Sequence, residues 1–61
     1  MNATTANFVI GQQITAGQGD DRDTGRVDAI NGDTVTVAWD SGVVTTQPAE
    51  TLVLAMAEAG V

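Results

Sequence analysis

The residues best suited to chemistry are concentrated in one short segment, GQGDDRDTG, at positions 17–25. It carries the carboxylates of Asp20, Asp21 and Asp23 and the guanidinium of Arg22 between glycines. Such a segment has three uses: it can bind a cation, present an acidic surface to a basic partner, or stay hydrated as a plain turn. The residues around it decide which of these uses the chain can support.

Metal binding is the first use to test. Asp21, Asp23 and Gly25 follow a D-x-D-x-G spacing similar to the start of an EF-hand calcium loop, in which oxygen ligands alternate. The spacing then fails, because a loop beginning at Asp21 needs glycine at position 26 and glutamate at position 32, where the chain has Arg26 and Gly32. We therefore expect no specific metal site and no cofactor.

The composition removes the usual catalytic pairs. Among the 61 residues there is no histidine, cysteine, lysine or tyrosine, so the common pairs of nucleophile and general base are missing. Two acids such as Asp20 and Asp23 could act on a glycoside only within a deep cleft, which a chain of this length hardly supplies. We predict that the protein is not an enzyme.

The net charge indicates the kind of partner that the protein can bind. Eight acidic residues stand against two arginines, which gives a charge of −6. Nucleic acids and anionic membranes bind through Lys and Arg, so neither is expected as a direct partner, and a basic protein is favoured. The expected partner-binding residues are Asp20, Asp21, Arg22, Asp23 and Asp40, with Asp28 and Asp33 as further acids from neighbouring turns. The alternative is a hydrated loop that only keeps the protein soluble.

Alternating residues predict a strand in the middle of the chain. In TVTVAW, at 34–39, Val35, Val37 and Trp39 share one face, and short polar turns with glycine lie on both sides. We therefore predict a meander with strands at about 25–30, 34–39 and 43–47. Phe8 and Trp39 are expected as the core aromatic residues.

Two further strands complete the predicted sheet. The segment FVIGQQITA supplies apolar anchors for a first strand, and after Pro48 we expect one helical turn, PAET, and a short last strand, LVLA, at 52–55. The fold class predicted is all-β: a small five-stranded SH3-like barrel with a short C-terminal tail that is helical or frayed. The expected organisation is a disordered N-terminal segment at 1–7, the barrel at 8–55 and the tail at 56–61.

The run GRVDAINGDTVTVAWDSGVVTTQPAETL resembles the residue pattern of Tudor-like and KOW-like barrels. This resemblance implies a fold, but the residues oppose the functions associated with it. A Tudor-type aromatic cage needs several rings, whereas the aromatic residues of this chain are Phe8 and Trp39. A KOW-type surface for RNA needs basic loops, whereas the corresponding loop here is acidic.

The end of the meander is also similar to plasmid-type dihydrofolate reductases, in which several such barrels surround one pore. Of the Val-Gln-Ile-Tyr run that precedes a proline in that family, only Val44 has a counterpart here. The resemblance therefore implies kinship of fold and not of activity. Acidic bacterial barrels that act as antirepressors by imitating DNA are similar to this chain in fold, size and sign of charge.

The function predicted is a small acidic, non-enzymatic protein–protein interaction module of phage or mobile-element type, which binds a basic protein surface as a DNA mimic or antirepressor does. The alternative is a structural subunit that self-associates, or docks on a larger assembly, through apolar surface and the C-terminal tail. A cytoplasmic location is expected, because MNATTANF lacks the features of a signal peptide and no stretch reaches the roughly 20 apolar residues of a membrane span.

Overall fold

The computed structural model describes residues 7–60 and contains one antiparallel sheet and one α-helix in that range. The four strands follow one another along the chain and lie in the same order in the sheet. In chain order, the elements are β1 (Gln13–Ala16), a 3-10 turn (Gly19–Asp21), β2 (Asp23–Asn31), β3 (Thr34–Trp39), β4 (Val44–Pro48) and α1 (Ala49–Ala59). The protein is therefore mostly β, with a helix at its C-terminal end.

The predicted meander is confirmed, with small shifts at the strand ends. The strand predicted at 34–39 is β3, residue for residue, while β2 and β4 differ from their predicted bounds by one or two residues. The turn between β2 and β3 contains Gly32, whose φ of +59° few other residues adopt. The Thr34 hydroxyl donates to the Asn31 carbonyl across this turn at 2.8 Å.

The predicted fifth strand is wrong. Residues 52–55 lie within α1, which is continuous over its 11 residues. A strand would place Leu52 and Leu54 on the same face, but Leu52 is 0% exposed and Leu54 is 62% exposed. The physical reason is that Ala, Leu, Met and Glu favour a helix, and that Ala49, Leu52 and Met56 recur at helical spacing on its inner face.

The sheet is not closed into a barrel. Within residues 7–60, hydrogen bonds join β1 to β2, β2 to β3 and β3 to β4, so β1 and β4 are the two edges. The helix covers one face of the sheet, packing mainly against β1. Two backbone hydrogen bonds fix it there: the Ala49 N–H donates to the Asp33 carbonyl at 2.9 Å, and the Gly17 N–H donates to the Ala55 carbonyl at 3.0 Å. A helix therefore takes the place of the predicted fifth strand, and it covers the sheet without closing it.

The hydrophobic core lies between α1 and the sheet face that it covers. Val27, Val35 and Val37 of the central strands and Leu52 of the helix are almost completely buried. The remaining buried hydrophobic residues are Phe8, Ile14, Ala16 and Ala49. The chain has no cysteine for a disulfide, and a core of this size supplies little surplus stability. A few side chains therefore determine whether the protein folds.

The opposite face of the sheet is polar and rich in threonine. The hydroxyls of Thr15 and Thr24 lie 3.1 Å apart on neighbouring strands, and those of Thr36 and Thr46 lie 2.8 Å apart, so each pair shares a hydrogen bond. Because one face of the sheet is apolar and the other polar, a slip of one residue would invert both faces. This patterning fixes the strand register.

Parts of the predicted termini fall outside the described range. These are residues 1–6 of the N-terminal segment expected to be disordered at 1–7, and Val61 of the tail. Within the tail expected at 56–61, residues 56–59 are helical and continuous with the rest of α1. Between residues 7 and 60, no helix has the length and apolar character needed to cross a membrane.

Replacing Leu52 by alanine should unfold much of the protein. This fully buried side chain fills the centre of the core, and its truncation should lower the free energy of unfolding by about 2–5 kcal/mol. The matched variant Leu54→Ala, on the exposed side of the helix, should change that free energy by only about 0.5 kcal/mol. Urea unfolding followed by circular dichroism measures both variants. Equal losses would show that the two leucines share a buried face, as in a strand.

Candidate functional site

The loop between β1 and β2 presents two of the predicted partner-binding carboxylates. Asp20 and Asp21 are exposed on the 3-10 turn, after which the Arg22 N–H donates to the Gly19 carbonyl at 3.2 Å. Gly17 begins the loop with a φ of +93°, and a Cβ at this position would collide with the carbonyl group of Asp21. Both the backbone conformation and the available space therefore require glycine at the start of the loop.

Asp23 is half-buried at the first position of β2. Its Oδ1 accepts a hydrogen bond from the Thr24 N–H at 2.8 Å, which fixes the orientation of the carboxylate. Within residues 7–60, neither arginine forms an ion pair with it. An ionised carboxylate accepts several hydrogen bonds, so Asp23 keeps most of its capacity for a further donor.

The strand register brings Asp40 to the same end of the sheet. Its N–H donates to the Thr24 carbonyl at 2.8 Å, which places the turn between β3 and β4 beside the start of β2. Asp33 lies at the other end of the β2–β3 hairpin, about 25 Å away along the nine residues of β2. Asp28 lies on the exposed side of β2, at an irregularity of the ladder. Of these three acids, only Asp40 joins the loop.

Four predicted partner-binding acidic residues thus lie at one end of the sheet. We call the group Asp20, Asp21, Asp23 and Asp40 the acidic end. The remaining predicted residue, Arg22, is exposed in the same loop. Asp33 and Glu50 define the opposite end, where α1 begins.

The acidic end keeps a net negative charge, because its four carboxylates outnumber the one neighbouring guanidinium, that of Arg22. In the range 7–60, the side chain of Arg22 makes no ion pair, and Nη1 of Arg26 donates to the Gly11 carbonyl at 3.1 Å. The C-terminal half of α1 lies at this end, because the Ala55 carbonyl accepts from the Gly17 N–H. The C-terminus of a helix carries a partial negative charge, which adds to that of the carboxylates.

A cleft of about 310 Å³ opens beside the acidic end. Both edge strands contribute to its walls, with Ala16 on β1 and Thr45 on β4, and the helix contributes Ala55. Asp21 and Asp23 line the same cleft. The cleft therefore lies where the sheet remains open between its two edges, and its lining combines apolar residues with two acidic residues.

Trp39 also lines this cleft and is held from two sides. Its indole N–H donates to Thr45 Oγ1 at 2.8 Å, and the Thr45 hydroxyl donates to Gln47 Oε1 at 2.9 Å. Against the ring lies Gly25, where an added Cβ would be 3.0 Å from Trp39 Cε3 and 2.6 Å from the Ala38 carbonyl oxygen. These contacts fix the orientation of the indole.

The two residues expected as core aromatics have different surroundings. Phe8 is buried in the core cluster, whereas Trp39 is half-buried, packs against that cluster and lines the cleft. Sequence reasoning missed the contributions of Thr45 and Ala55 to the cleft. One signal was available, because Thr45 and Gln47 occupy half-buried positions of β4, opposite the core valines of β3. Polar residues at such positions need hydrogen-bond partners.

The carboxylates of the acidic end do not form a recognisable metal site. Among residues 7–60, no three His, Cys, Asp or Glu side chains are grouped so that they could hold a metal ion. Comparisons of the chain with protein-family models, with curated proteins and with solved structures found no match. The function is therefore inferred from the geometry and charge of the site.

Replacing Gly25 by alanine should destabilise the protein and displace the Trp39 ring. The new methyl group would lie within 3.0 Å of backbone and ring atoms, and overpacking of this kind costs about 1–3 kcal/mol. The matched variant Gly60→Ala, whose Cβ would meet its nearest neighbour at 3.6 Å, should have little effect. Thermal unfolding and tryptophan emission measure both. Unchanged stability and emission in Gly25→Ala would contradict the packing of the ring on Gly25.

Proposed function

We propose that this protein is a small non-enzymatic interaction module that binds a basic surface of a partner protein with its acidic end. The observation that carries the proposal is that the β1–β2 loop, the start of β2 and the β3–β4 turn bring Asp20, Asp21, Asp23 and Asp40 to the same end of the sheet. Asp20, Asp21 and Asp40 are exposed to water and are therefore accessible to a partner.

Electrostatics makes such an end effective in association. Clustered charges of one sign steer an oppositely charged partner during its approach and repel molecules of the same sign. The whole chain carries a charge of −6 and contains no lysine, so its long-range field favours basic proteins and disfavours nucleic acids and anionic lipids. The negative electrostatic potential is concentrated at the acidic end, so a basic partner is steered towards that end.

A basic surface of this kind is what DNA-binding proteins present to phosphates. Clustered carboxylates can bind the same arginine and lysine side chains that would otherwise bind DNA phosphates. We therefore propose DNA mimicry of the antirepressor type, in a protein of phage or mobile-element origin acting in the cytoplasm. The meander of four strands supports the further proposal that the fold is related to SH3-like barrels of the Tudor-like and KOW-like kind.

Substituting the acidic loop should slow association with the basic partner. The variant Asp20→Asn, Asp21→Asn, Asp23→Asn removes three charges and keeps the shape and turn preference of the side chains. We expect the association rate constant to fall about tenfold or more at low ionic strength. The difference should shrink as salt approaches physiological concentration, where charges are screened over about 8 Å.

The measurement begins with affinity capture from the native host extract at low and high salt, followed by association kinetics with the purified partner. The matched control is Asp28→Asn, Asp33→Asn, Glu50→Gln, which removes the same number of charges away from the acidic end. This control should associate much faster than the loop variant. If the association rates of the two variants depend on salt in the same way, net charge alone explains the slower association. That result would refute a role for the acidic end.

The alternative function is a structural subunit that self-associates or docks on a larger assembly. The outer side of α1 favours it, because Leu54 is largely exposed and Val53 is more than one-third exposed. Val43 and Val44, at the start of β4, are also exposed. These groups are scattered, and single exposed apolar residues are common on soluble proteins.

Mass in solution distinguishes the two functions. We expect a monomer at micromolar concentration, because a charge of −6 on a chain of 61 residues opposes self-association. Analytical ultracentrifugation at low and high salt measures the mass, with Leu54→Gln as the comparison variant. An oligomer that persists in high salt and dissociates in Leu54→Gln would establish the alternative.

A further inference from the structure

We propose that the cleft beside the acidic end binds a single arginine side chain of the partner protein. This inference rests on the proposed function and identifies the chemical group recognised. The cleft measures about 310 Å³, at the lower limit of sites that hold small ligands. Its lining combines the Trp39 indole with Asp21 and Asp23 and a wall formed by Ala16, Val43 and Ala55.

A guanidinium group suits the aromatic, acidic and apolar parts of this lining. It is planar and weakly hydrated, it stacks on aromatic rings, and its donors pair with both oxygens of a carboxylate. The methylene stem of arginine suits the alanine and valine side chains along the cleft. The ammonium group of lysine is more strongly hydrated, so it loses more on entering a cleft with this apolar lining.

The cleft is organised before any partner arrives. The Trp39 ring is fixed by Gly25 on one side and by its hydrogen bond to Thr45. The Asp23 carboxylate is oriented by the Thr24 N–H, through only one of its two oxygens. Binding therefore requires little ordering of the site, which favours affinity for a small group.

The charge of the cleft selects a cation rather than a neutral side chain. Asp23 is half-buried, and in the range 7–60 no arginine of the chain itself pairs with it or with Asp21. A carboxylate in a partly apolar setting gains more from an incoming cation than an exposed carboxylate does, because the attraction is less screened. The Trp39 ring attracts the same cation through its face.

The experiment uses Nα-acetyl-L-arginine amide as the probe. The lysine amide is the control of equal charge, and the citrulline amide is the neutral control of equal shape. Trp39 is the only tryptophan, so its emission and its indole N–H resonance report on the cleft directly. We expect saturable binding of the arginine amide in the millimolar range, about fivefold weaker binding of the lysine amide, and none of the citrulline amide.

Two charge variants connect this binding to the cleft. Asp21→Asn with Asp23→Asn should weaken binding of the arginine amide about fivefold or more, because both residues line the cleft and lose their charge. The asparagine at position 23 can still accept the hydrogen bond from the Thr24 N–H. Asp33→Asn with Glu50→Gln removes two charges from the opposite end and should leave binding unchanged. None of the four residues is buried, so we expect both variants to fold, and circular dichroism checks this.

Several outcomes would overturn the inference. Equal binding of the arginine and citrulline amides, lysine binding at least as tight as arginine binding, or no saturation at about 50 mM would each do so. If partner association depends on the acidic end but the arginine amide does not bind at Trp39, the proposed function holds and the arginine cleft is wrong. If partner association is independent of the acidic end, the proposed function is wrong, and the cleft loses its role as a partner site.

Discussion

The packing of one side of α1 against one face of the sheet holds this protein together. Leu52 is completely buried in a cluster with Val35 and Val37, and the chain has neither cysteine nor histidine with which to reinforce the fold. Burial of this small interface must therefore balance most of the conformational entropy that folding removes. The backbone hydrogen bonds at Ala49 and Ala55 set the position of the helix along the sheet, so the interface and the loops next to it are specified together.

The candidate site is a consequence of the same packing. A helix can cover the apolar face of the sheet, but it cannot offer the ladder of hydrogen bonds that would join β1 to β4. A gap therefore remains between Ala16 and Thr45, and Trp39 and Asp23 line it. The hydrogen bond from Gly17 to the helix also holds the acidic loop beside this gap. The stability of the fold and the shape of the cleft thus depend on the same packing of α1 on the sheet.

The strands could be predicted from the sequence, because alternation of inward and outward residues and glycine-containing turns are local signals. β3 shows both signals over its whole length. The last element could not, since four residues of LVLA fit a strand as well as a helix, and only the spacing over all of α1 distinguishes them. Asp40 lies beside the β1–β2 loop and Asp33 does not, because of the register of the β2–β3 hairpin. Residue types alone do not reveal that register. The cleft depends on the sheet remaining open, a tertiary property to which Thr45 gave only an indirect sign.

The way in which β4 pairs with β3 also limits aggregation. The Trp39 N–H donates to the Val43 carbonyl at 2.8 Å, and hydrogen-bonded pairs recur at every second residue of an antiparallel ladder. The N–H groups of Val44 and Thr46 therefore point away from β3, and Pro48, the next residue in that series, has no N–H. A strand from another molecule would find few donors along this edge, on a chain whose charge of −6 repels its own copies. The β4 edge thus disfavours fibril-like stacking without a further element that covers it.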